Sequence, residues 1–138
     1  MKVTKVVFLA LTCTSCMSGF QSLTPDQYQT AMQRPGVVMV DVRTPEEYAA
    51  GHIPGAYNIN LQQPHFSKTV RRQLDKQQPV LLNCKGGVRS KKAAKKLARR
   101  GYKVSELDKG FAEWQKQGKP VTTQPTVNQN GKVVSGRR

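Results

Sequence analysis

The chain has 138 residues, of which 23 are lysine or arginine and 8 are aspartate or glutamate, so its formal charge is +15. That length provides one hydrophobic core and excludes a multidomain protein. A hydrophobic content of 37% is ordinary for a globular domain and excludes wholesale disorder. A charge this positive is typical of proteins that bind nucleic acids or anionic membranes, so its distribution and the protein's compartment decide what it means.

The first 18 residues have the three-part layout of a secretory signal. Two lysines precede an apolar run from Val6 to Leu11, which is shorter than the roughly 20 apolar residues of a membrane-spanning helix. We therefore predict an exported, periplasmic protein that loses this segment. Two processing routes remain open. One is cleavage near Ser18 or Gly19; the other is lipidation of Cys16, because Thr14-Ser15-Cys16 resembles the end of a bacterial lipoprotein signal. A buried N-terminal strand is the alternative interpretation.

The predicted domain, residues 22–121, alternates between helices and strands. Its predicted elements in chain order are a helix from Thr24 to Met32, a strand from Val37 to Val42, a short helix opened by Thr44-Pro45, a strand from Ala56 to Ile59, a helix from Phe66 to Lys76, a buried strand between Pro79 and Cys84, a helix from Arg89 to Arg100, a strand from Lys103 to Leu107 and a helix from Phe111 to Gln117. This alternation predicts an α/β fold whose mostly parallel sheet is covered on both faces. Residues 122–138 are polar and basic, and we predict a loosely ordered tail.

Cys84 is the one cysteine outside the predicted signal, which contains Cys13 and Cys16. Exported proteins normally use cysteines in pairs, so a solitary one is either buried and inert or kept for its reactivity. It lies between a predicted strand and a predicted helix, in a turn that contains Gly86 and Gly87. Inward N–H groups of such a turn and the positive end of a helix stabilise an anion, so we predict that Cys84 is largely a thiolate at neutral pH.

Arg89 follows Cys84 by five positions, across a turn short enough for its guanidinium to reach back over the loop. The planar guanidinium group binds two oxygens of an oxyanion at once. Arg89 is therefore a candidate for binding an anionic substrate beside the sulfur. An ion pair at the start of the helix is the alternative interpretation of this residue.

The segment Cys84-Lys-Gly-Gly-Val-Arg-Ser90 resembles the active-site loop of the rhodanese family of sulfurtransferases. Two further blocks agree with the family's first and last signatures: Asp41-Val-Arg43-Thr-Pro-Glu-Glu-Tyr48 followed by Gly51-His52-Ile-Pro-Gly-Ala56, and Gly110-Phe111 with Trp114, Gly118, Pro120 and Val121. The resemblance extends from about Thr24 to Val121. It implies a three-layer α/β/α sandwich with a central sheet of about five strands. Lys109 departs from the family pattern, which more often has glycine there.

The resemblance also implies a two-step sulfur transfer. The Cys84 thiolate would attack the outer sulfur of thiosulfate or a related small anionic donor, and cyanide or a thiol would then remove that sulfur from a persulfide on the enzyme. The implied substrate-binding residues are those of the loop, Lys85, Gly86, Gly87, Val88, Arg89 and Ser90. No metal or organic cofactor is required.

Three residues near the first signature are predicted to be structural. We expect Asp41 and Arg43 to pair with each other or with the active-site loop, and His52 to fix its turn by hydrogen bonds. We also expect Trp114 to lie in the core and His65 to lie on the surface.

Nine of the basic residues lie between Lys85 and Lys103, a stretch without an acidic residue. This stretch contains the predicted helix from Arg89 to Arg100, whose predicted buried stripe consists of Ala94, Leu97 and Ala98. Three interpretations of the charge remain open: steering of anionic donors, docking on an anionic membrane surface, or a solvated face with no partner. Export and the scarcity of aromatic residues argue against a nucleic-acid partner, and we expect a monomer.

Two other function classes compete with the sulfurtransferase. Cysteine phosphatases and arsenate reductases of related fold use a Cys-x5-Arg loop, whereas the loop here is Cys-x4-Arg, one residue shorter. A smaller loop suits a persulfide better than a tetrahedral phosphate. The third class is a non-catalytic module that carries sulfur or binds a partner through its basic helix.

Overall fold

A computed structural model of the protein describes residues 19–127. The predicted signal, with Cys16, and residues 128–138 of the predicted tail lie outside the described residues, and what we inferred for them stays a prediction. Within residues 19–127, no helix combines the length and the apolar character needed to cross a membrane.

Ten helices and strands follow one another in the described chain. They are β1 (Gln21–Leu23), α1 (Pro25–Ala31), β2 (Val38–Asp41), α2 (Pro45–Ala50), β3 (Tyr57–Asn58), α3 (Phe66–Gln73), β4 (Val80–Asn83), α4 (Val88–Ala98), β5 (Val104–Leu107) and α5 (Gly110–Lys116). The predicted alternation is confirmed, and most bounds differ by one or two residues. Helix α3 ends three residues before the predicted Lys76 because Leu74 is already extended. Strand β1 was not predicted, since two exposed polar residues and one half-buried leucine carry no apolar pattern.

Threonine–proline pairs open helices α1 and α2, as the sequence indicates. Thr44 Oγ1 accepts a hydrogen bond from the Glu47 N–H at 3.3 Å, and the Glu47 carboxylate accepts one from the Thr44 N–H at 3.0 Å. Thr24 and Gln27 make the same reciprocal pair at α1. Such capping boxes satisfy N–H groups that a helix start otherwise leaves unpaired, and they stabilise each helix by about 1 kcal/mol.

All five strands are parallel, in the order β1-β5-β4-β2-β3. Helices α3 and α4 pack on one face through residues such as Phe66 and Leu97, and α1 and α5 pack on the other through residues such as Tyr28 and Trp114. The three-layer α/β/α prediction with about five strands is therefore confirmed. Trp114 is fully buried, and His65 is exposed.

The sheet brings the ends of β2 and β4 together. These strands are neighbours, but the chain leaves β2 toward β3 at one edge and leaves β4 toward β5 on the other side. Adjacent strands whose onward connections diverge leave a crevice at their carboxyl ends, which is where ligands bind in open α/β sheets. Arg43 follows β2 and Cys84 follows β4, so both residues lie at this crevice.

The first residues of the predicted tail contact the domain. His52 and Thr122 exchange two backbone hydrogen bonds of 2.9 Å, and the Thr126 N–H donates to the Tyr48 hydroxyl at 3.3 Å. Backbone pairing of this kind needs no apolar periodicity, which is why the sequence pattern gave no sign of it. The hydrogen-bonded contacts of the domain therefore extend past Val121, where the sequence placed its end.

Lys109 occupies the turn before α5 with φ at +55°, in the left-handed region that disfavours residues with a β-carbon. We expect Lys109→Gly to raise the free energy of unfolding by about 0.5 to 1 kcal/mol, because glycine removes that strain. Lys109→Ala is the matched control, since it removes the same charge and keeps the β-carbon. Equal stability of the two variants in urea unfolding would contradict this explanation.

Candidate active site

The Cys84 sulfur lies beneath the turn that joins β4 to α4. The Gly87 N–H donates a hydrogen bond to Cys84 Sγ at 3.0 Å, and Ser90 Oγ lies 3.4 Å from the same sulfur. Gly87 has φ at +96°, which brings its N–H inward at a conformation that a side chain would strain. Cys84 is 1% exposed, whereas Lys85 and Gly86 above it are exposed. The turn thus provides the inward N–H that the sequence predicted.

The first turn of α5 fixes the same loop from the other side. The N–H groups of Phe111 and Ala112 donate to the carbonyl oxygens of Cys84 and Lys85, at 2.8 and 3.0 Å. This close approach depends on Gly110, because a β-carbon there would lie 2.5 Å from the Lys85 oxygen and 2.6 Å from the Cys84 oxygen. With its first carbonyls held by α5, the loop is oriented with the Gly87 N–H toward the sulfur.

Arg89 is paired with Glu47 of α2 in a two-pronged ion pair. Its Nη1 and Nη2 lie 2.7 and 2.8 Å from the two carboxylate oxygens of Glu47. The hydrogen bond from Arg89 is the main cause that lowers the pKa of Glu47 from 4.5 to about 2, and the same bond raises the pKa of Arg89. A guanidinium has five N–H donors, so three remain for an anion. Glu47 belongs to the first signature block of the sequence, but nothing in the sequence indicated that it pairs with the loop.

Glu47→Gln is expected to lower the free energy of unfolding by about 1 kcal/mol at neutral pH, because the pair is partly exposed to solvent. The folded-state pKa of Glu47 is depressed, so this stabilisation is complete above about pH 4.5 and is lost as the pH falls toward about 2. Urea unfolding of the wild type and variant at several pH values measures the difference.

Glu46→Gln is the matched control for that experiment. Glu46 is in the same helical turn, is exposed, and is in no ion pair within residues 19–127. We expect a smaller difference from the wild type at neutral pH, because Glu46 is in none of these ion pairs. Parallel pH profiles for the two variants would show that the Arg89 pair is not the cause.

Asp41 and Arg43 pair with each other, one of the two arrangements expected from the sequence. Both side chains are buried, and Asp41 accepts hydrogen bonds from the Arg43 backbone N–H, Nε and Nη2 at 3.0, 3.0 and 2.7 Å. Arg43 Nη2 also donates to the Gly51 oxygen at 2.7 Å, and the guanidinium lies 4.3 Å from the centre of the Phe111 ring. The pair therefore connects β2, the turn after α2, and α5.

A cavity of about 260 Å³ adjoins the loop on the Lys85 side. Its lining consists of Arg43, Glu47, Ala50, Gly51, Lys85, Phe111, Ala112 and Gln115. Cys84 is not part of this lining. A second cavity of about 550 Å³ is larger, but its residues, among them Val80 and Val104, lie at the amino ends of the strands. The smaller cavity is the candidate substrate-binding site, because it adjoins the loop that carries Cys84 and its lining includes the cationic side chains of Arg43 and Lys85.

Not all of the predicted site residues contact the sulfur. His52 is buried in the turn after α2, where Nδ1 lies 2.9 Å from the Tyr48 oxygen and Nε2 lies 2.9 Å from the Gln124 oxygen. Val88 is 80% exposed, so its side chain points into solvent at the rim of the loop.

Helix α4 buries the predicted stripe of Ala94, Leu97 and Ala98, together with Ser90 and Ala93. Its positive charge is partly compensated by β5 and the residue that follows it, because Lys91 Nζ lies 2.7 Å from Asp108 and 3.2 Å from the buried Glu106 of β5. The hydrogen bond between Lys91 and Asp108 raises the pKa of Lys91 and lowers that of Asp108. The sequence showed no acid within the helix, and only the sheet brings these two carboxylates to it.

Comparison with known proteins agrees with this geometry. Residues 24–117 match the rhodanese-like domain family. The chain is 37% identical over 99 residues to thiosulfate sulfurtransferase GlpE of Pseudomonas entomophila (strain L48), a match that covers 71% of this chain and 87% of that protein. A solved rhodanese-like domain protein from Staphylococcus aureus is 31% identical, with a TM-score of 0.57, covering 69% of this chain and 91% of that one.

The solved BH2092 protein from Bacillus halodurans is 26% identical, with a TM-score of 0.64, covering 80% of this chain and 86% of that one. The family match spans the helix before β2, the Cys84 loop at the carboxyl end of β4, and α5, which together build the site. The chain belongs to the rhodanese family.

Proposed function

We propose that this protein is a thiosulfate sulfurtransferase that carries the transferred sulfur as a persulfide on Cys84. The main support for this role of Cys84 is the hydrogen bond from the Gly87 N–H to Cys84 Sγ, at the carboxyl end of the central strand β4. That N–H, together with the positive end of α4, favours negative charge on the sulfur. The identity to a thiosulfate sulfurtransferase supports the same reaction class.

The first step forms one sulfur–sulfur bond and breaks another. The Cys84 thiolate attacks the outer sulfur of thiosulfate, and sulfite leaves with the electron pair of the broken bond. The loop N–H groups then stabilise the terminal sulfur of the persulfide, as preorganised donors stabilise a developing anion. Lys85, an exposed cation that lines the adjoining cavity, supplies positive charge for the sulfonate oxygens of the donor, whereas the charge of Arg43 is compensated by Asp41.

The second step returns the enzyme to its starting state. A nucleophile, cyanide or a thiol, attacks the outer persulfide sulfur and leaves Cys84 as the thiolate. The substrate of each step reacts in turn at one sulfur, so the kinetics are of the ping-pong type.

The test is turnover of the purified protein with thiosulfate and cyanide, measured as thiocyanate. We expect thiocyanate from the wild type and none from Cys84→Ser. After incubation with thiosulfate alone, the mass of the wild-type protein should increase by one sulfur atom. Hydrolysis of p-nitrophenyl phosphate, assayed beside it, tests the phosphatase class. Absence of thiocyanate with phosphate release would favour the phosphatase, and a stable persulfide without turnover would favour a sulfur carrier.

A further inference from the structure

A buried carboxylate lies behind the active-site loop and takes no part in the sulfur transfer described above. Glu106 on β5 is fully buried. One of its oxygens accepts a hydrogen bond from the Ser22 hydroxyl and lies 3.2 Å from Lys91 Nζ. The other accepts a hydrogen bond from the Ser90 hydroxyl at 2.8 Å.

Ser90 connects this carboxylate to the reactive sulfur. Its hydroxyl donates toward the Glu106 carboxylate at 2.8 Å and the Gly87 oxygen at 3.1 Å, and it accepts a hydrogen bond from the Cys84 thiol at 3.4 Å. When the Ser90 hydroxyl donates to Glu106, it presents a lone pair to the sulfur. A lone pair accepts a hydrogen bond from the protonated thiol, so this arrangement favours the thiol. A hydroxyl that donates to the sulfur stabilises a thiolate and gives up its bond to Glu106.

We propose that Glu106 is a positioning residue that, through the Ser90 hydroxyl, restrains the ionisation of the Cys84 sulfur. The Gly87 N–H and the start of α4 favour the thiolate, and the buried negative charge of Glu106 opposes it. A thiolate that is too stable is a poor nucleophile, and attack is fastest when the sulfur titrates near the ambient pH. The proposal rests on the proposed function only in assuming that this reactivity serves sulfur transfer.

The other charged and titratable groups around this chain of hydrogen bonds come from several elements. They are Tyr28 of α1, Asp41 of β2, Glu47 of α2, Arg89 and Lys91 of α4, and Asp108 after β5. Burial is the main cause that raises the pKa of Tyr28, and the charges of Asp41 and Glu106 add to it. Lys91 offsets part of the Glu106 charge, so we expect a moderate effect on the sulfur rather than a large one.

The readout is the ultraviolet absorbance of the thiolate as a function of pH, taken as the difference between each protein and its Cys84→Ser counterpart. We expect Glu106→Gln to move the midpoint of this titration to lower pH by about 0.5 to 1 unit, because a neutral amide holds the Ser90 hydroxyl proton less strongly than a carboxylate and leaves it freer to donate to the sulfur. Asp108→Asn is the matched control. This substitution removes the other carboxylate that pairs with Lys91, and Asp108 makes no hydrogen bond to Ser90. The midpoint of the thiolate titration should therefore move by less than about 0.2 unit.

Ser90→Ala tests the connection itself. In a Ser90→Ala background, the shift caused by Glu106→Gln should fall below about half of its original size, because the hydrogen-bonded route is gone. A second measurement needs no variant of Glu106. The carboxyl signal of Glu106 in a carbon-13 spectrum of the wild type should move with the same midpoint as the thiolate absorbance.

An unchanged midpoint in a folded Glu106→Gln variant would overturn the proposal, as would a Glu106 signal that ignores the ionisation of the sulfur. If Glu106→Gln does not fold, the carbon-13 titration decides. Neither measurement uses thiosulfate. A protein that makes no thiocyanate can therefore still show the shift, and an active sulfurtransferase without the shift would refute only the role of Glu106.

Discussion

Gly110→Ala is expected to remove most of the turnover and to lower the free energy of unfolding by about 3 kcal/mol. The new β-carbon would lie 2.5 Å from the Lys85 oxygen and 2.6 Å from the Cys84 oxygen. Both atoms belong to the backbone of the active-site loop, so no flexible side chain can move aside. The loop must shift away from α5, and the hydrogen bond from Gly87 to the sulfur shifts with it.

Gly118→Ala is the matched control, because it introduces the same kind of backbone strain without a contact between the new β-carbon and the loop. Gly118 has φ at +69°, close to the +66° of Gly110, but a β-carbon there would meet nothing within 4 Å. We expect it to cost about 1 kcal/mol and to leave thiocyanate formation unchanged. Thermal unfolding and turnover of both variants measure the difference. Equal losses in the two variants would mean that conformation, and not the contact with the loop, is what Gly110 provides.

Asp41→Asn is expected to cost about 3 kcal/mol of stability or more, because it leaves the buried Arg43 guanidinium without its counter-ion. Asp41 accepts hydrogen bonds from the backbone and side chain of Arg43, and an amide can accept only part of these. Urea unfolding gives the free energy. Turnover should fall as well, since Arg43 lines the cavity beside the loop.

The double variant Asp41→Asn/Arg43→Met is the control for this explanation. Removing both charges leaves no uncompensated ion in the interior, so we expect the double variant to be more stable than Asp41→Asn alone. Simple addition of the two single losses would contradict an ion-pair origin and would point instead to the shape of the site.

The local rules of the chain were sufficient for most elements of the fold. The pairs Thr24-Pro25 and Thr44-Pro45 open α1 and α2 where predicted, because a helix start needs its N–H groups capped within the same few residues. The turn at Cys84 has an inward N–H, since Gly87 supplies the conformation locally. Strand β1 escaped detection because its stability comes from pairing with β5, not from its own residues.

The sequence by itself determined the alternation of helices and strands, the turn that holds Cys84, and the likeness of that turn to a rhodanese loop. Only the tertiary structure decided which charges meet there. Glu47 lies 42 positions from Arg89, and Glu106 lies 16 from Ser90. Capping and turn formation act within a few residues, whereas ion pairs depend on distance in space. A parallel sheet brings the ends of strands that are remote in sequence to one edge, together with the helix that follows β2, and there Glu106 of β5 and Glu47 of α2 contact the residues that follow Cys84.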